Sequence, residues 1–411
     1  MKIAVITNSR IPSLTANSIQ AMKVAQALMQ LDHDVRMFAP KESDPVSKQT
    51  LLTHYGLRLA PTLELLPSER HFKRLDFILH AQRAAKRFNA DLIYTWLPQS
   101  AVLGLWSGYP VVLEMHADVA GRMGAWWLRQ FWMARGRKLM TVTTSALRNA
   151  LERSIKLQFK DESLLVAPNG VELERYAELP NPLEARRQLN LPEGVTVGFT
   201  GHIYPGRGAD LLFELARQMP RVNFLWVGGA PELVDFWRGK LNDAGMTNVT
   251  MTGFVKHEVI PLYQAASDVL LMPYSRSISA SSGQDIAEVI NPMKMFEYMA
   301  SARAIVSADL PSIREVLNEG NAVFVEAGQE LGIRNQELGI IASREELDGG
   351  RVGLGALPSP YRDHIAEWKA AIESLLADEP RRHALANQAR RDVEQLTWVK
   401  REERVLGRMG E

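Results

Sequence analysis

The chain has 411 residues, which predicts two to three domains at about 150 residues each. Of these residues 46% are apolar and 23% are charged, values that are typical of a folded globular protein. No apolar run approaches the roughly 20 residues that a membrane-spanning helix needs, and the absence of cysteine excludes disulfides, thiolate nucleophiles and cysteine-ligated zinc. The net charge of +1 hides an asymmetry, because residues 1–170 carry 22 Lys and Arg against 13 Asp and Glu (+9), whereas residues 171–411 carry 26 against 34 (−8). Such a split indicates an anionic partner for the first half.

The first 170 residues alternate between short apolar runs and amphipathic stretches. Residues 3–7 predict a strand buried on both faces, and Asn17 with Gln20 resembles a capping box that opens a helix. Further strands are predicted at 35–38, 92–95, 111–115 and 140–143, with helices at 70–88 and 122–136. This alternation predicts a doubly wound parallel sheet. The start of the chain does not fit a signal peptide, so we expect a cytoplasmic location, with peripheral attachment to the inner face of the cell membrane as the alternative.

The pattern restarts after the Asn-Gly pair at 169 and 170. Six more strands are predicted at 195–200, 223–227, 249–251, 269–272, 304–307 and 322–325. We therefore expect two Rossmann-like domains, 1–170 and 171–390. Residues 326–360 are glycine-rich and predict a long loop or extra hairpin, residues 361–408 are helical in pattern, and we expect 391–411 to pack back toward the first domain.

One segment, from Asn291 to Ala300, predicts an anion site at a helix start. Asn is a preferred N-cap and Pro292 suits the first helical position, which would leave the backbone NH groups of Met293, Lys294 and Met295 unpaired. Lys294 opposes the helix dipole unless an anion lies in front of it. Glu297, one turn further, is placed to accept hydrogen bonds from a sugar diol. An ordinary capped helix with a solvated Lys and Glu is an equally good interpretation.

A second candidate phosphate site is the loop Gly201–Gly208, between a predicted strand and helix. Its glycines permit close approach of the backbone to a phosphate, and Arg207 can bind a phosphate bidentately. The loop lacks the G-x-G-x-x-G pattern, which disfavours dinucleotide binding of the dehydrogenase type. A tight connection between strand and helix explains the glycines equally well.

Taken together, these segments resemble the retaining glycosyltransferases of family 4, which have a GT-B architecture of two Rossmann-like domains facing a cleft. The resemblance spans nearly the whole chain except 326–360 and rests on segments 11–13, 16–19, 113–116, 167–171, 201–208, 227–229, 267–269, 292–300 and 309–316. It implies an acceptor in the first domain and a nucleotide sugar in the second.

The resemblance also implies roles for individual residues. Arg207 and Lys294 would neutralise the donor diphosphate, assisted by the helix that starts at Pro292 and Met293, and Glu297 would hold the nucleotide ribose. His116 would face the sugar and acceptor. The remaining donor-binding positions implied by the resemblance are the backbone at Gly201, Gly228, Gly253, Phe254 and Val255.

Two departures from the family pattern affect these roles. The paired glutamates of the family stand eight residues apart, but Val289 stands eight before Glu297; either Glu288 replaces the missing glutamate or the contact is lost. The family's Gly-Gly phosphate loop is replaced by residues 15–18, where the helix-start NH groups near Asn17 and the hydroxyl of Ser18 would serve instead.

We therefore predict a retaining, metal-independent transferase that moves a sugar from a nucleoside diphosphate to a glycan, lipid-linked or other anionic acceptor, without a cofactor. A nucleotide-sugar 2-epimerase and a non-catalytic partner subunit remain alternatives. The segment 32–34 reads D-x-D but follows a helix where the family has a turn, so we expect no metal there.

Residues 122–138 combine five Lys and Arg with four aromatic rings and no acid. This combination is typical of a helix at an anionic membrane surface, although a core helix with cationic ends fits equally well. No nucleic-acid motif is present, so we expect no nucleic-acid partner.

Overall fold

The computed structural model describes residues 1–42, 46–69, 75–119, 121–203, 206–278, 285–328 and 364–410. The first domain is built on a seven-stranded parallel sheet in the order β3-β2-β1-β4-β5-β6-β7. Its strands are β1 (Lys2–Ile6), β2 (Asp34–Pro40), β3 (Thr62–Leu66), β4 (Leu92–Thr95), β5 (Val111–Met115), β6 (Lys138–Val142) and β7 (Leu164–Val166). Its helices are α1 (Ala16–Gln30), α2 (Lys48–Tyr55), α3 (Leu75–Phe88), α4 (Pro98–Trp106), α5 (Gly121–Met133) and α6 (Ser145–Ile155).

The second domain is built on a six-stranded parallel sheet in the order β10-β9-β8-β11-β12-β13. Its strands are β8 (Thr196–Thr200), β9 (Asn223–Val227), β10 (Val249–Gly253), β11 (Val269–Met272), β12 (Ala304–Asp309) and β13 (Val323–Glu326). Its helices are α7 (Pro182–Gln188), α8 (Ala209–Gln218), α9 (Pro231–Asp243), α10 (Ile260–Ala265), α11 (Met293–Ala300), α12 (Pro311–Arg314), α13 (Ile365–Ala377) and α14 (Glu379–Asp392). The predicted pair of Rossmann-like domains is confirmed.

Two strands of the first sheet escaped the sequence prediction, and both lie at sheet edges. The strand β3 carries Thr62 and Glu64 and has one buried residue, so it lacks the continuous apolar run of a strand that is covered on both faces. The strand β7 has only three residues, too few for its apolar run to predict a strand.

The last helix, α15 (Trp398–Gly410), leaves the second domain and packs on the first. Trp398, Val405 and Met409 lie in the same apolar cluster as Ile3 and Val5 of β1. The helix α15 is therefore part of the layer of helices that covers the first sheet. Among the described helices, none is long and apolar enough to cross a bilayer.

The predicted loop or hairpin at 326–360 falls almost wholly outside the described residues, since 329–363 are not described. The D-x-D segment lies in the turn from α1 into β2, at the amino end of that strand. Functional sites of parallel sheets lie at the carboxyl ends, so this segment is at the wrong edge of the sheet for a role in such a site.

Candidate active site

A cleft lies between the two domains, where the carboxyl ends of both sheets face each other. His116 follows β5, Gly201 follows β8 and Gly228 follows β9, and all three line the cleft. The cleft is also lined by every other predicted site residue except Ser18, Gly253 and Glu288: Asn17, Arg207, Phe254, Val255, Pro292, Met293, Lys294 and Glu297. The structure thus brings together residues that lie up to 280 positions apart in sequence (17 to 297).

Two cations that line this cleft form no ion pair with any described residue. Among the described residues, neither Nζ of Lys294 nor Nε of Arg207 has a hydrogen-bond partner, although both atoms are buried. The Lys294 Nζ lies 3.8 Å from the ring centre of Phe199, and the Arg207 guanidinium lies 5.4 Å from that of Tyr274. Burial, together with the charge of Arg207, holds the pKa of Lys294 well below its usual range, while Glu297 acts in the opposite direction. An anion bound here would satisfy both side chains.

The glycines beside Lys294 make room for it. Gly201 has φ +127°, and a Cβ at this position would lie 2.7 Å from Nζ of Lys294. Gly228 has φ +113°, and a Cβ there would lie 2.5 Å from the carbonyl oxygen of Gly201. A side chain at either position would displace the lysine or the backbone that faces it.

The start of α11 differs from the sequence prediction in its first residues. The helix begins at Met293, with Pro292 at the N-cap and no side-chain cap. The NH group of Met295 is not free, because it donates to the Pro292 carbonyl at 3.0 Å. The side chain of Asn291 does not cap the helix, since its Oδ1 accepts from the backbone NH of Asn169 at 2.8 Å.

Glu297 lies one turn into α11, on the cleft wall. Its Oε2 accepts a 3.2 Å hydrogen bond from Gln264 of α10, which leaves its other oxygen available to a ligand. Phe254 and Val255, which follow β10, also line this pocket, and Phe254 remains 46% exposed. A planar apolar group and a diol would find matching surfaces between these residues.

His116 is held by a buried charged network that the sequence analysis did not identify. Its Nε2 lies 2.6 Å from Oε1 of Glu114, which is buried at the end of β5. Glu114 also accepts hydrogen bonds from Gln20 of α1, from Tyr94 of β4 and, at 2.7 Å, from Arg401 of α15. Burial raises the pKa of Glu114, but the charge of Arg401 and the hydrogen bonds from His116 and Tyr94 outweigh burial and bring this pKa to about 2. The carboxylate therefore accepts the Nε2–H of His116 and leaves Nδ1 as the second ring nitrogen available to a ligand.

The structure corrects the expected role of Ser18. Thr15, and not Asn17, is the N-cap of α1, and its side chain accepts from the Ser18 NH. Ser18 is buried, and its hydroxyl donates to the Ser13 carbonyl at 2.8 Å. The hydroxyl is thus engaged within the protein and does not line the cleft.

Glu288 likewise does not enter the cleft. It lies in the short helical turn Ala287–Val289 with its side chain exposed, while Val289 packs against the apolar core of the first domain. The neighbouring positions that do line the cleft are Ile286, Ile290 and Asn291. Hence the expectation that Glu288 takes the place of the missing glutamate finds no support in the structure.

Comparison with known proteins agrees with this geometry. The chain matches the models "Glycosyltransferase Family 4" over residues 18–175 and "Glycosyl transferases group 1" over residues 194–336. The Bacillus subtilis protein named putative teichuronic acid biosynthesis glycosyltransferase TuaH is 31% identical over 157 residues, which cover 38% of this chain and 37% of that protein. The Streptomyces kanamyceticus 2-deoxystreptamine glucosyltransferase is 30% identical over 145 residues, 33% of this chain and 37% of the relative. Each match spans less than two fifths of the relative's length.

Two solved structures cover nearly the whole chain. Anabaena HepE in complex with UDP-glucose superposes with a TM-score of 0.70 at 16% identity, covering 100% of this chain and 99% of that one. A glycosyltransferase from Rickettsia africae superposes with a TM-score of 0.71 at 13% identity, covering 99% and 97%. The fold and its cleft define the GT-B class. The two family models together span most of the chain, which belongs to the family 4, or group 1, glycosyltransferases.

Proposed function

We propose that this protein transfers a sugar from a nucleoside diphosphate sugar to an acceptor hydroxyl, with retention of configuration. The observation that carries the proposal is a pair of cations in the interdomain cleft, Lys294 of α11 and Arg207 of the loop before α8. Their Nζ and Nε atoms, respectively, are buried and have no hydrogen-bond partner within the described part of the chain. Anabaena HepE, which shares the fold, was crystallised in complex with UDP-glucose, and this supports a sugar nucleotide as the donor class.

The chemistry follows from where negative charge develops. When the bond between the sugar C1 and the diphosphate oxygen breaks, charge accumulates on the diphosphate, next to Lys294, Arg207 and the first NH groups of α11. The acceptor hydroxyl forms its bond to C1 on the same face, and its proton passes to the departing phosphate oxygen. Because the protein's own cations neutralise the leaving group, we propose that the reaction needs no divalent metal and no cofactor.

His116 faces the same cleft from the first domain. With Nε2–H donated to Glu114, the Nδ1 lone pair is available to accept a hydrogen bond from a sugar or acceptor hydroxyl. We therefore propose that the acceptor hydroxyl lies between the two domains and that the rest of the acceptor lies on the first domain. The acceptor class is proposed to be a glycan, lipid-linked or otherwise anionic, since the first half of the chain carries the positive charge.

The test is incubation with UDP-glucose, GDP-mannose and related donors, with and without EDTA, followed by product analysis. We expect slow hydrolysis of one donor to sugar and nucleoside diphosphate, unaffected by EDTA and lost in Lys294→Met. Conversion of the donor to an epimer without release of nucleotide identifies a 2-epimerase. Absence of both turnover and nucleotide binding with every donor identifies a non-catalytic subunit and contradicts the proposal.

A membrane surface is the second partner that we propose, on the basis of the exposed face of α5. Met123, Trp126 and Met133 are 63%, 44% and 72% exposed, and Trp106 at the end of the neighbouring α4 is 59% exposed. The cations Arg122, Arg135 and Arg137 flank this face and are exposed as well. Aromatic and cationic side chains together favour the interface of an anionic bilayer.

Not every cation of 122–138 contributes to this surface. The ammonium group of Lys138 turns inward and donates to the Phe131 carbonyl at 2.9 Å and to two further carbonyls at the end of α5. Leu128 and Phe131 are buried, so the helix is in part a core element.

Flotation with liposomes of phosphatidylcholine, with and without phosphatidylglycerol, tests the membrane proposal. Co-flotation is expected only with the anionic lipid and is expected to weaken in Trp126→Ser, whereas Leu183→Ser, which removes an exposed side chain from α7 of the second domain, serves as the control. Equal flotation with both liposomes would contradict an anionic surface as partner.

A further inference from the structure

Two amide side chains join the hinge between the domains to the loop before α11. The backbone NH of Asn169 donates to Oδ1 of Asn291 at 2.8 Å, and Nδ2 of Asn169 donates to the carbonyl of Asn291 at 2.6 Å. Both side chains line the cleft. The backbone partners determine how each amide is turned, because an NH group must meet an amide oxygen and a carbonyl must meet an amide nitrogen.

This arrangement uses one half of each amide and leaves the other half without a partner. Among the described residues, neither Oδ1 of Asn169 nor Nδ2 of Asn291 has a hydrogen-bond partner, although both atoms are buried and the residues are 6% and 9% exposed. A buried polar group without a partner is costly, so native proteins rarely retain one unless a ligand or water satisfies it. Here one acceptor and one donor remain on the same cleft wall.

A hydroxyl group is the ligand chemistry that matches such a pair. A hydroxyl donates one hydrogen bond and accepts others, so it can donate to Oδ1 of Asn169 and accept from Nδ2 of Asn291. A phosphate oxygen, which does not donate, would satisfy Nδ2 of Asn291 but not Oδ1 of Asn169. The cation that would bind a phosphate, Lys294, lies three residues after Asn291 in the sequence.

The position of the pair relates it to the donor sugar. Val289, at the position of the family's first glutamate, packs into the first domain's core and does not line the cleft, so it supplies no polar contact to a sugar. Asn291 directly precedes Pro292, the N-cap of the helix whose start carries Lys294. The group covalently joined to the second phosphate of a sugar nucleotide is the sugar itself.

We infer that Asn169 and Asn291 form a hydroxyl-recognition subsite for the sugar of the donor, in place of a carboxylate. The inference rests on the proposed function, because it assumes that a nucleoside diphosphate sugar occupies the cleft. The two amides come from the hinge and from the second domain, so binding of the sugar also reinforces the contact between them.

The experiment compares the affinities of UDP with UDP-glucose and of GDP with GDP-mannose by isothermal titration calorimetry, in the wild type and in Asn291→Ala and Asn169→Ala. UDP and GDP contain the ribose and the diphosphate but lack the glucose or mannose of the donor. We expect each variant to bind the sugar nucleotide up to about tenfold more weakly, the loss that one neutral hydrogen bond implies. Binding of the bare nucleotide should stay within about twofold of wild type.

Glu315→Ala is the matched control for a loss of contact between the domains. Glu315 joins the second domain to α6 of the first and does not line the cleft. If Asn169 and Asn291 act only by holding the domains together, their variants and Glu315→Ala will weaken both members of each nucleotide pair by the same factor, and the subsite is then refuted. If either alanine variant fails to fold, Asn291→Ser, which retains a small hydrogen-bonding side chain, allows the same comparison between the affinity for the sugar nucleotide and the affinity for the bare nucleotide.

The outcome separates this inference from the proposed function. If the wild type binds none of the four nucleotides, the proposed function fails and the subsite fails with it. If the wild type binds them, Lys294→Met weakens binding, and the ratio of the two affinities is unchanged in the asparagine variants, then the proposed function stands and the subsite is wrong. A deoxy analogue that weakens wild-type binding but not binding to Asn291→Ala identifies the hydroxyl concerned.

Discussion

Arg401 of the last helix donates a 2.7 Å hydrogen bond to Oε1 of Glu114, the same carboxylate oxygen that lies 2.6 Å from Nε2 of His116. The final helix of the chain therefore completes the electrostatic environment of a cleft residue in the first domain. Tyr94 and Glu402 are the other ionisable groups of this buried network, and nearby Asp118 is engaged with Ser154. Removal of the charge of Glu114 or of Arg401 should therefore change how firmly the imidazole of His116 is held.

Substitution of Glu114 and of Arg401 should each lower activity. In Glu114→Gln the carboxylate that accepts the Nε2–H of His116 is replaced by a neutral amide, so the imidazole is held less firmly. In Arg401→Met the buried Glu114 carboxylate loses its charged partner, which weakens the network that orients His116. Loss of activity of about 10- to 100-fold is expected in both, as for other groups that orient a functional histidine.

Donor hydrolysis by each variant checks this prediction, with thermal melting to confirm folding. Arg404→Met, which replaces an exposed arginine on the same helix, is the control and should retain wild-type activity. A loss of activity that only follows the loss of folded protein would mean that the network acts through general stability and not on His116.

The sequence predicted the architecture and most of the cleft because those features are local. Buried strands, a proline at a helix start and glycines after strands are all visible in short segments, and Lys294, Arg207 and Glu297 follow from them. The Glu114–Arg401 contact joins residues 287 positions apart, and no local pattern marks it. Ser18 was misplaced because Thr15, rather than Asn17, caps the helix, which turns the Ser18 hydroxyl inward.

Glu402 should make the protein less stable as pH rises. Burial and the charge of Glu114, opposed by Arg401, bring its pKa to about 7 from an ordinary value of 4.5. The folded protein therefore holds a proton between pH 4.5 and 7 that the unfolded chain releases, and stability falls across this window by an amount on the order of 3 kcal/mol. Glu114 acts oppositely at lower pH, where its depressed pKa means that its contribution is lost as pH falls from 4.5 toward 2.

Glu402→Gln should remove the decrease above pH 4.5, because an amide does not ionise. Urea unfolding at pH 5, 6, 7 and 8 provides the measurement, and the stability of the variant relative to wild type should rise with pH. Glu403→Gln, at the exposed neighbouring position, is the matched control and should show the wild-type slope. A variant with the same pH slope as wild type would contradict the buried-carboxylate explanation.

Nucleotide binding should be accompanied by proton uptake at Lys294. Burial holds its pKa well below the usual range, and a bound diphosphate would stabilise the protonated ammonium group. Affinity for UDP or GDP should therefore fall as pH rises, and the calorimetric enthalpy should differ between PIPES and Tris, which differ in ionisation enthalpy. Lys294→Met should weaken binding by at least about tenfold, as expected for loss of a charged hydrogen bond, and should abolish the difference between buffers.

Lys240→Met, which removes a lysine that lies over Phe236 and Trp237 on α9, is the control for this experiment. It should retain both the affinity and the dependence on buffer. Persistence of proton uptake in Lys294→Met would assign the proton to another group of the cleft.

Glu315 should stabilise the start of α6 from across the domain boundary. It follows α12 in the second domain, and its carboxylate accepts hydrogen bonds from the backbone NH groups of Ser145 at 2.7 Å and Ala146 at 3.0 Å. These NH groups have no partner within their own helix, and the negative charge lies at the positive end of the helix dipole. In Glu315→Ala the two amides should exchange with solvent deuterium about tenfold faster, which corresponds to a capping free energy near 1 kcal/mol. Glu319→Ala is the control: it removes an exposed glutamate that pairs with Arg314 and should leave both amides protected, because the Glu319 carboxylate contacts neither of them. Equal acceleration of exchange in the two variants would show that the amides respond to the charge of the segment and not to the contact between the domains.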